Sequence, residues 1–384
     1  MLIDIGSGSV GVALIECDED FKKPLILYTH REDIRFGKEK NAETLIHSLK
    51  EALLAATLEF SGEGNEILRE HNPHATIDHI DVLYASPWSE VVTRAISFEK
   101  KDPFKLTQRF IDNIITEALK AADATRFEQS LFDIAKLTVV NKEVAELTIN
   151  GYVIHDYIGK EATELRIELM SELVPEVVRE ALTETERNLS VHAKLNERTF
   201  MHAFADACGR LYPNDRVLAI DVTGEAVECA IVERGFIHES KTMLFGIHTF
   251  YRHIAAALNT VEDEVRMHIA DYVSGTTHDD VSMVIMSVRA EFLSVLEKLF
   301  TATAEKQTLP STVLLVTEPE MSVFLSTLLE ESYHSYRSDA HVTTLTTEAL
   351  TFIEYADNTV HDVPLSIGAS FFHTTHKKQT PSDD

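Results

Sequence analysis

Apolar residues along this chain alternate between two patterns, short near-continuous runs and longer stretches at helical spacing. Leu2–Ile5 and Val10–Ile15 are apolar runs joined by Gly6-Ser7-Gly8-Ser9, which predicts a strand, a tight turn and a returning strand. The pattern recurs around Thr223-Gly224-Glu225, between Val217–Val222 and Ala226–Val232. After the first hairpin, Leu25–Tyr28 reads as a third strand. Ala42–Phe60 reads as a helix with Leu45, Ile46, Leu49, Leu53, Leu54 and Leu58 toward the core, and Ser61–Pro73 as a polar loop. Ile77, Ile80, Val82 and Tyr84 lead into Ala85-Ser86-Pro87-Trp88, a strand ending in a turn.

The character changes after Pro87. Val91–Phe98 alternates as a strand does, and Pro103 is placed near the start of an amphipathic helix through Phe110, Ile111, Ile114 and Ile115. Phe132–Asn141, Val144–Ile149 and Thr163–Met170 are further strand candidates. Leu173–Leu189, with Pro175 in its first turn, and Thr199–Leu211 return to helix. Beyond the second hairpin come a strand at Ile237–Met243 and helices at Gly246–Leu258 and across Val261–Ala304. A strand at Ser311–Val316, a helix at Met321–Leu329, a strand at His341–Leu345 and a helix at Pro364–Phe372 follow. The expected organisation is α/β. A first domain (1–85) is interrupted by a small α+β module (86–171) and completed by 172–213. A second domain spans 214–372, and a polar, unstructured tail 373–384.

Composition narrows the function. The chain has 384 residues, 44% of them hydrophobic, which suffices for more than one core. Its 35 basic against 63 acidic residues give a net charge of −28, a field that repels nucleic acid and anionic lipid. Cys17, Cys208 and Cys229 lack paired spacing and read as reduced, buried thiols of a cytoplasmic protein. No run of 18 apolar residues and no signal sequence is apparent, so direct membrane insertion is not expected. Of the histidines, the pairs His71/His74 and His373/His376 have no carboxylate or thiolate at a useful ligand spacing, so no metal role is read there.

The two turns carry the candidate chemistry. Glycine admits positive φ and brings backbone amides close to an anion, while an aspartate at a strand end can hold a hydrated Mg²⁺. Two such hairpins facing across a cleft would grip a nucleotide phosphate tail. That assigns Asp4, Gly6, Ser7, Gly8 and Ser9 to one side and Asp221, Thr223 and Gly224 to the other, with Asp4 and Asp221 as the metal-holding pair.

This double Asp-led hairpin resembles the superfamily of actin, the sugar kinases and the heat-shock-70 ATPases, a ribonuclease-H-like fold in duplicate. The placement of the extra module is similar to that of a bacterial branch, the type IV pilus assembly M protein and the FtsA-type cell-division protein, in which the module is called SHS2. The segments Asn150–Leu165 and Met243–Ala255 carry further likeness. The resemblance implies ATP and Mg²⁺ in the cleft, with Thr317 on the adenine side, but the chain departs from the pattern in several places. Gly11 stands where relatives place a long polar residue, and Thr223 where they place glycine. Glu225 enters the second turn, facing either the phosphates or solvent. Thr317-Glu318-Pro319-Glu320 replaces a glycine pair and reads as a helix start capped by Thr317. On the helix that holds the water-positioning residue in relatives, His202 and Asp206 share a face, to contact either water or solvent. Weak or absent ATP affinity and no efficient ATPase activity are therefore expected, with no catalytic residue assigned.

The resemblance also implies a partner. In pilus M-like proteins the module receives the cytoplasmic N-terminal tail of an inner-membrane protein, and in division-type relatives it serves self-association. Arg94, Ile96 and Phe98, on one face of a strand beside the Pro103–Lys120 helix, are the candidate contacts, with Arg94 pairing either a partner carboxylate or a neighbouring glutamate. The His373–Asp384 tail has no apolar face for a membrane helix, so a place at the inner membrane would come through that partner. The alternative is a polymerising, ATP-binding scaffold of the division type.

Overall fold

The first hairpin forms as its sequence suggests: β1 (Leu2–Ile5) pairs antiparallel with β2 (Ser9–Glu16), which pairs antiparallel with β3 (Leu25–Asp33). The computed structural model describes residues 1–17, 22–34, 42–122, 136–154, 156–186, 189 and 193–379. On its other edge β1 runs parallel to β4 (His79–Tyr84), and β4 parallel to β9 (Lys194–Thr199). The second half repeats this plan. A meander of β10 (Arg216–Val222), β11 (Val227–Glu233) and β12 (Phe236–Met243) is followed by β13 (Thr312–Val316) parallel to β10 and β14 (His341–Thr344) parallel to β13. Counted within each half, both sheets read 3-2-1-4-5, so the fold is a duplicated α/β unit. A two-residue strand, β15 (Glu354–Tyr355), adds to β3 as a sixth strand of the first sheet.

Each sheet buries both faces, which is why β1, β10 and β13 are almost unbroken apolar runs. Between the sheets lie α5 (Phe200–Leu211) and α10 (Val363–Gln379), whose Phe200, Phe204, Cys208, Phe371 and Phe372 join one core with residues of both sheets. The outer face of the first sheet is covered by α1 (Ala42–Glu59) and α4 (Glu176–Glu186). That of the second is covered by α6 (Ile247–Leu258), α7 (Glu262–Ser274), α8 (Asp279–Ala304) and α9 (Ser322–His334).

The residues after Pro87 build a separate four-stranded sheet, in the order β5-β8-β6-β7. These are β5 (Glu90–Lys105), β6 (Leu137–Ile149), β7 (Tyr152–Val153) and β8 (Glu161–Pro175), with α3 (Gln108–Ala122) packed on one face.

Several local expectations are corrected. On α1, Leu54 and Leu58 are exposed, because the buried stripe runs through Leu45, Leu49, Leu53 and Ala56. The segment expected as a loop from Ser61 is a π-helical turn (Phe60–Gly64) running into α2 (Asn65–His71). Pro103 lies in the irregular end of β5 rather than at a helix start, where the ladder with β8 shifts register between Glu99 and Phe104. Val144–Ile149 and the described part of Phe132–Asn141 are one strand, β6, bent by two register shifts, while 132–135 lie outside the described residues. Pro175 closes β8, so α4 begins after it. The tail is helical through Gln379, with Phe372 and His373 buried. From its place between the sheets, α10 contacts β1, β2 and β3, and β15 pairs with β3 of the first sheet. Cys17 is exposed, whereas Cys208 and Cys229 are buried free thiols.

Candidate functional site: the cleft between the two hairpins

The parallel pairing of β1 with β4 and of β10 with β13 brings the ends of all four strands to one cleft, where strand order reverses and ligands of α/β sheets lodge. A cavity of about 470 Å³ opens there. Asp4, Gly6, Gly8 and Ser9 line it from the first turn, and Asp221, Thr223, Gly224 and Thr317 from the second half. Ser7, the remaining residue of the predicted set, is fully buried where the two turns meet.

That meeting is close. A methyl group placed on Gly224 would lie 2.5 Å from Gly8 Cα, so the two turns touch backbone to backbone. Ser7 Oγ lies 2.9 Å from Thr223 Oγ1 and accepts the Glu225 amide at 2.9 Å. Thr223 Oγ1 also donates to the Ser86 carbonyl at 3.2 Å. The threonine that replaces a glycine therefore ties one hairpin to the other. Glu225 takes neither of its two expected positions: it is buried and held bidentately by Arg252 of α6 at 2.7 and 2.8 Å.

The long polar group missing at Gly11 is supplied from the next strand. Arg31 of β3 pairs with Gly11 in register, and a methyl group at Gly11 would stand 2.7 Å from Arg31 Nη2, so glycine leaves room for the guanidinium. Arg31 donates to Asp4 Oδ2 at 2.9 Å, to Ser9 Oγ at 2.9 Å, and to Asp362 Oδ2 and Oδ1 at 2.7 and 2.9 Å. Asp362 immediately precedes α10 and caps it, accepting the Leu365 amide at 2.9 Å. One cation thus joins the first turn to the last helix.

Across the cleft the carboxylates are crowded. Asp221 faces Glu228 in the β10–β11 register, and its Oδ2 is buried without a hydrogen-bond partner. Burial, with Glu228 and Asp4 nearby, pushes Asp221 well above the usual carboxylate range. Burial also pushes Glu228 up to about 7, although Ser86 and Ser240 donate to it at 2.7 and 2.9 Å. Burial raises Asp4 too, against the pull of Arg31. Asp4 and Asp221 are the groups that could hold a divalent cation. Asp4 is already paired, and Asp221 retains a bare oxygen.

The remaining predicted residues fall elsewhere. Thr317 does not cap a helix. A short 3₁₀ turn begins at Pro319, and the Thr317 hydroxyl reaches back to the Val222 carbonyl at 3.4 Å. On α5 it is Phe200 that lines the cleft. Asp206 pairs with Arg210 at 2.7 Å, and His202 turns toward the inserted sheet, with Nδ1 2.8 Å from Glu172 Oε1. Arg94, Ile96 and Phe98 lie on β5, an edge strand, and all three are half-buried. Ile96 and Phe98 pack toward the small core beneath α3, and Phe98 meets Phe104 and Phe110 edge-on at 5.1 and 5.2 Å. Sequence reasoning missed Arg31 and Asp362. A glycine inside an otherwise apolar strand, Gly11, was the available signal of a close approach.

No protein-family model and no curated protein matches the chain. Among solved structures it is similar to the PilM–PilN type IV pilus biogenesis complex, at 13% identity and a TM-score of 0.58, covering 98% of this chain and 96% of that one. It is also similar to the ethanolamine utilization protein EutJ from Carboxydothermus hydrogenoformans (10% identity, TM-score 0.45, 96% and 88% covered). Component A of (R)-2-hydroxyglutaryl-CoA dehydratase from Acidaminococcus fermentans gives 10% identity and a TM-score of 0.41, with 98% of both chains covered. The chain has the actin-like fold, in an arrangement resembling that of PilM.

Proposed function

We propose that this chain is an actin-like adaptor of a membrane-associated assembly, most like the type IV pilus inner-membrane platform. In this reading it holds the short cytoplasmic tail of a membrane partner, and its nucleotide cleft no longer takes ATP and Mg²⁺. The observation that carries the reading is that, beside the open cavity, the chain's own groups engage both phosphate turns. Gly8 touches Gly224, and the Arg31 guanidinium occupies the first turn. A triphosphate would have to part the turns and compete with Asp4 and Asp362 for the one arginine there, facing the buried carboxylate of Asp221.

The module carries the partner contact in this proposal, with Arg94 and the accessible parts of Ile96 and Phe98 on edge strand β5. Recruitment through a protein suits a chain of charge −28, which anionic lipid repels. No helix among the described residues is long and apolar enough to cross a membrane. The test compares washed inner-membrane vesicles, the same vesicles after protease has shaved their exposed tails, and protein-free anionic vesicles. The proposal expects binding to the first alone, weakened by Arg94→Glu. Equal binding to bare lipid, or no binding to intact vesicles, contradicts it.

The bare Asp221 oxygen favours a second reading, the polymerising scaffold that retains ATP, because a bound cation would satisfy that oxygen. Sedimentation with and without Mg²⁺–ATP separates the two, since only the scaffold pellets in response to nucleotide.

A further inference from the structure

At the opposite end of the first sheet from the cleft, three side chains that are scattered in sequence converge. His79 and Asp81 stand near the start of β4, two residues apart and so on the same face of the strand, and His376 comes from the last turns of α10. One ligand atom from each lies within 4.8 Å of the others, and this is the one such group of three among the described residues. His376 Nε2 sits 3.1 and 3.0 Å from the two oxygens of Asp81, and the rings of His79 and His376 lie with centroids 4.2 Å apart and planes tilted by 34°. Two ligands on a tetrahedral zinc ion stand about 3.3 Å apart, given metal–ligand bonds near 2.0–2.2 Å. The cluster therefore approaches the spacing that a small metal ion requires. The absence of any metal signature around His376 in sequence has a simple cause: its two companions lie almost three hundred positions away.

The surroundings also suit a metal. Asp81 is buried, and Asn196 of β9 donates to its Oδ1 at 2.8 Å while facing His79 Nδ1 at 3.3 Å. An amide donating to a ligating carboxylate is the outer support that such a metal ligand characteristically receives. Both histidines are partly open to solvent, which leaves a route of entry and room for a water as a further ligand.

We propose that His79, Asp81 and His376 form a binding site for a borderline divalent cation of the zinc class, with two imidazole nitrogens and one carboxylate oxygen as ligands. The ion is a clip. It fastens the far end of α10 to β4, while the near end of the same helix is held by Asp362 and Arg31 at the cleft. The site is independent of the nucleotide cleft and of the reading given to it.

The test uses the full chain without an affinity tag, stripped with a chelator and titrated with Zn²⁺ against a chromophoric competitor, and with Co²⁺ for its visible d–d bands. One equivalent is expected to bind, to raise the melting temperature and to give Co²⁺ bands of a four- or five-coordinate site. Asp81→Asn and His376→Gln should each weaken that equivalent by about 10-fold or more and remove the thermal shift, and Asn196→Ala by about 10-fold, the usual effect of losing an outer partner. His376→Gln keeps a donor for Asp81 at the partly open end of the helix, so it remains informative if Asp81→Asn fails to fold. Absence of a stoichiometric ion, or wild-type affinity in His376→Gln, overturns the site and leaves a plain histidine–aspartate pair.

Discussion

Replacing Arg31 with alanine is expected to destabilise the protein by roughly 3–5 kcal/mol at neutral pH, the range found when one partner of a buried ion pair is removed. Asp4 and Asp362 would lose their shared cation and confront each other beside Asp221, with α10 no longer tied to the first turn. The loss should shrink as pH falls, because Asp4, whose carboxyl burial already raises, takes up a proton and no longer needs the cation. Adding Asp362→Asn to Arg31→Ala should recover part of the stability by removing one of those charges, and a double-mutant cycle in chemical denaturation reads the coupling directly. A cost below about 0.5 kcal/mol would mean that Arg31 is an ordinary surface pair and not the group that closes the first turn.

The second large effect lies where the inserted sheet meets the interdomain helix. Glu172 of β8 is fully buried and accepts from Asn141 Nδ2 at 2.7 Å, from Thr199 Oγ1 at 2.8 Å and from the Thr199 amide, while paired with His202 Nδ1 at 2.8 Å. Thr199 is the cap of α5, so one carboxylate fixes the start of that helix to two strands of the module. Glu172→Ala should cost roughly 3–5 kcal/mol, because it strips several buried donors of their acceptor and leaves the His202 imidazolium with the more distant Glu143, 3.5 Å from Nε2.

The pH dependence has a definite sign. Burial opposes both charged forms, but each partner overcomes it: His202 is raised from its ordinary 6.5 and Glu172 lowered from its ordinary 4.5. The histidine's contribution is complete below 6.5 and is lost as pH rises through its folded value. The glutamate's is complete above 4.5 and is lost as pH falls through its folded value. The difference between wild type and Glu172→Gln should therefore be greatest between those two ordinary values and decline on either side. A difference that stays flat across that range and above it would show that the pair is not ionised.

Much of the fold could be read from sequence because its defining elements are local. Each hairpin carries its own apolar strands, turn residues and strand-ending aspartate within about sixteen positions, so the duplication appears without any long-range information. β9 escaped notice for the opposite reason. Lys194–Thr199 is a polar edge strand, half-buried for most of its length, and only its pairing with β4 makes it a strand. Pro103 was misplaced because a proline suits a helix start as well as it suits the irregular, exposed end of an edge strand.

The cleft was legible in its glycines and aspartates but not in its present state. The ion pair on its phosphate side comes from Arg31 and Asp362, which are 331 positions apart and meet only through the β2–β3 register and the start of α10. Glu225 shows the same limit. Sequence put a carboxylate in the turn, whereas its partner Arg252 sits a full helix entry later, on α6. His202 was considered for its neighbour four residues on, yet its actual partner, Glu172, comes from another sheet.

The central claim is that both phosphate turns of this cleft are engaged by the chain's own residues, so that function rests on protein contacts and not on a nucleotide cycle. Calorimetric titration of the purified chain with ATP in the presence of Mg²⁺ tests it most directly. The account predicts no saturable heat at ligand concentrations up to the millimolar range, where a binding free energy would be no better than about −4 kcal/mol, and no phosphate release. Saturable sub-micromolar binding with steady hydrolysis, abolished by Asp4→Ala or Asp221→Ala, would contradict it.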